Sequence, residues 1–355
     1  MPLDYHAAVK YSYSSTRVRA MESKLISKDT MDELAKMKDI ETMLARLLQT
    51  NYKDYIEEFG GLGARGELID FALSKSLAVD AEKLIVITPP DERDTIRRII
   101  NRWDIRNIKL MLYAKSTGKN FEHISKYITP SRELDVRTIK EAMMEPDVTA
   151  TISKLMLKPQ YKDELKAALD AYKKTGNMTE VNTAIDKKFF SKLGGTIVDL
   201  NRISYESAVI VRLDIEMRNI LTMLRAKRYR LGTDRLAALL IDNGMTPIDK
   251  LIRIYNASRD IREIVEAIGG YGLKQAYSKY QTAETKQMLT FEISIRNYIF
   301  KRAVSLLRHS VLSFASIVAY FYLKEMEIFK LRVLIKGMDY GLSGNETMEM
   351  LAWQT

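Results

Sequence analysis

The chain repeats itself, and no other feature constrains its fold as tightly. Residues 104–115 read DIRNIKLMLYAK and residues 216–227 read EMRNILTMLRAK, with seven identities in twelve positions at an offset of 112. One further period along, 327–336 reads EIFKLRVLIK, which keeps the leading acid and the apolar spacing but loses the Arg-Asn pair. The apolar residues recur in register: Ile105, Ile108 and Leu112, then Met217, Ile220 and Leu224, then Ile328, Leu331 and Ile335. Steps of three and four put each set on one helix face. The pattern predicts three equivalent helices that bury equivalent stripes.

Two looser signatures share the period. Tyr52, Tyr161 and Tyr271 recur at nearly the same interval. Asp70 in ELIDFAL, Asp186 in NTAIDKKFF and Glu292 in LTFEISIRNYIF each set an acid inside an apolar helical run, at offsets of 116 and 106. The simplest partition is 1–102, 103–212 and 213–337, the last unit including a closing helix, followed by a short segment 338–355. Breakers such as Gly60-Gly61, Pro89-Pro90, Gly176-Asn177, Gly194-Gly195 and Gly269-Gly270 punctuate the units. Between them the spacing is helical, with no sustained period-two alternation. Gly (16) and Pro (7) are scarce, and good helix formers are abundant. The expected fold is all-α: three helical bundles related by pseudo-threefold symmetry.

The search for chemistry returns little. The absence of cysteine removes disulfides and thiolate metal sites. His6, His123 and His309 are far apart and show no metal-ligand spacing. There is no P-loop. Gly61 to Gly66 fits G-x-G-x-x-G, but the preceding NYKDYIEEF reads as helix rather than the strand a dinucleotide site needs, so it is taken as a linker. No catalytic residue, metal site or cofactor is expected. An acid in an apolar helix needs a cation beside it, because an unpaired buried charge is costly. Asp70, Asp186 and Glu292 are therefore expected to form structural ion pairs, with Arg106 and Arg218 of the repeated helix as partners. The alternative is a helical enzyme that uses these carboxylates as general acids or bases.

Arg225, Lys227, Arg228 and Arg230, in RAKRYR, form the densest basic cluster. They read either as an interface that binds anions or as a helix's own C-terminal turn, where the dipole favours cations. The net charge of +10 suits an acidic partner, an anionic membrane surface or nucleic acid, and a nucleic-acid-binding helical repeat protein stays open as the alternative function. The low-charge stretch from Ser310 to Leu323 is shorter than the roughly 20 residues a membrane span requires. It is expected to be a core helix. The N-terminal MPLDYHAAVKYSYSS has no apolar signal core.

The ordered set of segments resembles the family of archaeal A-type ATP synthase C subunits and V-ATPase d subunits. The residues that carry the resemblance are YSSTRVRAM at 13–21, RWDIRNIK at 102–109, MRNIL at 217–221, AYFYLKEME at 319–327 and KLRVLIKG at 330–337. The segment after Gly337 does not match. The resemblance implies a funnel of three pseudo-equivalent helical domains, without catalytic residues or cofactor. It implies one copy per complex, between central-shaft subunits of the D/F type and the membrane rotor ring of c subunits. The protein would be peripheral, on the cytoplasmic face of the cell membrane, and would turn with the rotor.

Overall fold

The computed structural model describes residues 5–60, 65–282, 288–310, 312–339 and 341. Nineteen α-helices and three short 3-10 turns account for the regular structure, and no strand occurs among the described residues. The fold is all-α, as the helical spacing predicts.

Six helices form a wall, numbered here in chain order. They are α1 (Arg65–Ile87), α2 (Arg102–Ser116), α3 (Met178–Ile203), α4 (Tyr205–Arg228), α5 (Leu289–His309) and α6 (Phe314–Asp339). Local chemistry sets their ends. Gly176 turns left-handed (φ 62°) to stop the helix Lys162–Thr175, and the Asn177 side chain then accepts from Thr179 N to start α3. Ser204 alone separates α3 from α4: it ends one helix and its side chain accepts from Ser207 N to cap the next.

The wall closes on itself. Neighbours α2 and α3, α3 and α4, α4 and α5, and α5 and α6 pack in sequence, and α6 then packs against α1 and the helix Tyr5–Glu22. The short helix Arg93–Ile100 touches α1, α2 and α3 and joins the two ends of the circuit. The last repeated helix therefore supports the first stretch of chain, as α2 and α4 support the stretches that follow them.

The repeated helices are α2, the second half of α4 and the second half of α6. All nine stripe residues are at most 3% exposed, from Ile105 through Leu224 to Ile335. At about 25 cal/mol per Å² of apolar surface, each such side chain contributes roughly 1.5–3 kcal/mol. The Ser310–Leu323 stretch supplies the start of α6, where every residue from Phe314 to Leu323 is buried. Among the described residues no helix is long and apolar enough to cross a membrane.

One expectation about breaks needs correction. Gly194-Gly195 does not interrupt the chain: α3 runs straight through it. Gly194 packs closely: a Cβ there would lie 2.3 Å from Asn243 Nδ2, so the Asn243 side chain would have to move. α4 runs through residue 212, and the helical path is interrupted at Ser204. Gly61 to Ala64 of the glycine-rich match, and nearly all of the terminal segment 338–355, lie outside the described residues.

Candidate functional site

Where α2 to α6 meet, they enclose a cavity of about 420 Å³ lined by alternating charged and aromatic side chains. Its organisation follows the repeat. Arg102, Asp214 and Glu325 occupy equivalent positions of the three copies, and they meet. Arg102 Nη1 lies 3.2 Å from Asp214 Oδ2, while Nε donates to Glu325 Oε1 at 3.1 Å and Nη2 to the other Glu325 oxygen. Trp103 Nε1 also donates to Glu325. The Arg102 guanidinium stacks on Tyr322, 4.3 Å from the ring centroid, and all three charged side chains are nearly buried. Burial would push Asp214 up, but Arg218, Arg102 and Arg296 outweigh it and hold the carboxyl below its ordinary range.

The acids of the repeat are paired, but not with the expected cations. Lys109 Nζ sits 2.7 Å from Asp186, and Arg332 Nε sits 3.2 Å from Asp70. Lys109 and Arg332 are equivalent positions on α2 and α6, one helical turn beyond Arg106 and its counterparts. On α4 that position is Leu221, and Glu292 is held instead by Arg296 of its own helix at 2.9 Å. For Asp186 the spacing pointed to a repeated helix but the wrong turn of it; for Asp70 the partner comes from α6, and for Glu292 from its own helix. Arg106 makes no ion pair or hydrogen bond among the described residues; its guanidinium lies over the Trp103 ring, 5.0 Å from the centroid. Arg106 is exposed at the cavity, yet desolvation around its guanidinium and then the charges of Arg332 and Arg296 lower its pKa to about 10. Arg218 approaches Asp214 at 3.8 Å and stacks on Phe190 at 4.7 Å, and its Nε is buried without a hydrogen-bond partner.

The repeated helices carry a second, more deeply buried polar layer that the sequence signalled only through the tyrosines. Its acids are Asp104, Glu216 and Glu327. Tyr161 and Ser131 donate to Asp104, Thr246 Oγ1 donates to Glu216 at 2.6 Å, and Tyr52 donates to Glu327 at 2.6 Å. Tyr271 makes no hydrogen bond to Glu216; burial, followed by that carboxylate's field, pushes its hydroxyl up to about 12. The Asn of the Arg-Asn pair has a matching task in two copies. Asn107 exchanges two hydrogen bonds with the backbone of Thr129, and Asn219 does the same with Ile241. These side chains satisfy backbone groups that no helix ladder reaches.

The basic cluster divides. Lys227 Nζ is taken up by the carbonyls of Tyr255 and Ser258, at 2.8 and 2.9 Å, as Lys115 Nζ is by Met143 O. Arg225, Arg228 and Arg230 remain exposed at the end of α4. Arg230 has φ 54°, and its equivalents Gly118 and Gly341 both have φ 69°. Leu231 N reaches back to Ala226 O just as Lys119 N reaches Ala114 O, which is the glycine-favouring end of a helix. One copy therefore carries an arginine where the backbone favours glycine.

The chain is similar over nearly its whole length to known proteins. The chain is 26% identical over 346 residues to the A-type ATP synthase C subunit of Thermococcus onnurineus, a match covering 96% of this chain and 90% of the relative. It is 23% identical over 356 residues to the protein of that name from Thermoplasma acidophilum, covering 96% and 98%. With its Methanosarcina barkeri namesake it shares 24% over 335 residues, covering 94% and 90%. The family described as ATP synthase (C/AC39) subunit matches residues 14–350. The threefold helical repeat and nearly end-to-end agreement place the chain in the ATP synthase C/AC39 subunit family.

Proposed function

We propose that this protein is the non-catalytic central-stalk subunit of an A/V-type rotary ATP synthase. In this reading it joins shaft subunits of the D/F type to the membrane ring of c subunits and transmits torque between them. Three pseudo-equivalent bundles, 1–102, 103–212 and 213–337, would form a funnel around the rotor axis. One copy would serve each complex, peripheral to the membrane on its cytoplasmic face.

The observation that carries the reading is closure: α6, at the end of the chain, packs against α1 and the helix Tyr5–Glu22 near its start. A closed circuit of packed helices resists twisting, because close-packed interiors deform little. The charged centre adds to this. Arg102 ties α2 to α4 and α6 at one point, so a load on one repeat is shared by the other two. The names of the relatives supply the complex to which such a part would belong. The basic balance suits an acidic ring loop or an anionic lipid surface.

The test is co-expression with the neighbouring operon products and affinity purification through this chain. Recovery of both shaft and ring subunits, each lost when the chain is omitted, supports the reading. Recovery of neither at any ionic strength refutes it.

A further inference from the structure

The cavity between α2 and α6 holds five cationic side chains, Arg102, Arg106, Lys109, Arg218 and Arg296, against four carboxylates. The carboxylates are taken. Asp214 and Glu325 serve Arg102, Asp186 serves Lys109, and Glu292 serves Arg296. That leaves Arg106 with no anionic partner and Arg218 with a share of an Asp214 oxygen that Arg102 already holds. The two arginines occupy equivalent positions on equivalent helices, and the third copy has Phe329 there. Arg218 Nε is a donor buried without an acceptor, one of six buried side-chain atoms without a hydrogen-bond partner among the described residues and the one that belongs to a cation lining this cavity.

From this arrangement we infer that the cavity is a binding site for a small tetrahedral oxyanion of phosphate size, held between Arg106 and Arg218. A guanidinium presents a planar fork of donors suited to phosphate oxygens. Two such forks on different helices line the one cavity, and a tetrahedral ion carries enough oxygens to accept from both. The volume of about 420 Å³ leaves room for the ion with part of its hydration shell. The two guanidiniums lie over the Trp103 and Phe190 rings, which helps hold them in place. Desolvation first, and then the neighbouring charges of Arg332 and Arg296, lower the pKa of Arg106 to about 10.

The experiment is calorimetric titration of the full-length chain with inorganic phosphate at constant ionic strength, using wild type, Arg106→Gln, Arg218→Gln and Arg230→Gln. The last removes a charge outside the cavity. Each variant's unfolding midpoint is measured first. An NMR signal from the Arg218 Nε–H group reports on the site directly, so a misfolded variant cannot decide the matter. The expected result is one saturable site per chain, weakened about tenfold or more by Arg106→Gln and by Arg218→Gln and unchanged by Arg230→Gln. The Arg218 Nε–H signal should shift with phosphate but not with chloride. No saturable binding at millimolar phosphate overturns the inference. So does equal weakening by Arg230→Gln, or an equal response to chloride. None of these outcomes bears on whether the chain joins shaft and ring, which the co-purification tests separately.

Discussion

Arg102 and Asp214 stand at the same position of successive repeats and are joined by a 3.2 Å ion pair. With Glu325 they make a junction in which one copy supplies the cation and the other two supply the anions. A symmetric set of three like charges could not meet there. The divergence of the repeats therefore allows their helices to converge. Replacing Arg102 with Met should destabilise the protein by about 3–5 kcal/mol, because it strands the nearly buried Glu325 carboxylate and leaves Asp214 only the longer contact to Arg218. Replacing Arg98, whose pair with Asp199 is about half exposed, should cost less than about 1 kcal/mol. Urea unfolding of the two variants gives the comparison; equal losses would mean that the junction is of no special weight.

The pairing at Asp186 makes a second contrast. Lys109→Met should cost about 1 kcal/mol by leaving Asp186 without its cation. Arg106→Met, one turn away, should be neutral or stabilising in phosphate-free buffer, since it removes a cation that has no partner. A larger loss from Arg106→Met than from Lys109→Met would restore the partner inferred from spacing.

Asp104 should mark the protein's stability with a pH dependence of unusual sign. Burial raises its pKa to about 6, against the pull of hydrogen bonds from Tyr161 and Ser131, while the unfolded chain keeps the ordinary 3.8. Between those values the folded state holds a proton that the unfolded state lacks. This group's contribution to stability therefore falls as pH rises through 6 and is recovered on acidification. The wild type minus Asp104→Asn stability difference should be about 1.4 kcal/mol more favourable at pH 5 than at pH 7.5. Denaturation of both proteins at the two pH values measures it, and a flat difference would disprove the shift.

Arg230 sits in the left-handed conformation that Gly118 and Gly341 adopt in the other copies. Arg230→Gly should relieve the Cβ clash and stabilise the fold by up to about 1 kcal/mol, the gain being reduced by glycine's greater freedom when unfolded. A rise in melting temperature is expected, and a fall would show that the Arg230 side chain makes a stabilising contact. If the rise is accompanied by weaker recovery of shaft or ring, the exposed end of α4 is an interface.

Periodicity alone was enough to specify three equivalent helices, their buried stripes and the all-α class. Helix geometry converts a spacing of three and four into a face without reference to the rest of the chain. It also marked Asp70, Asp186 and Glu292 as acids that need a cation. It could not choose among Arg106, Lys109 and Arg332, because a partner on another helix depends on how far one helix slides along its neighbour. Nor could it tell that α3 runs unbroken through Gly194-Gly195, where Gly194 lies against Asn243 from a later stretch of the chain. The closing of α6 on α1, the meeting of Arg102 with Asp214 and Glu325, and the unpaired state of Arg106 arise only when the helices pack. Contacts between distant segments are set by the shape and charge of the whole assembly, and local spacing carries no record of them.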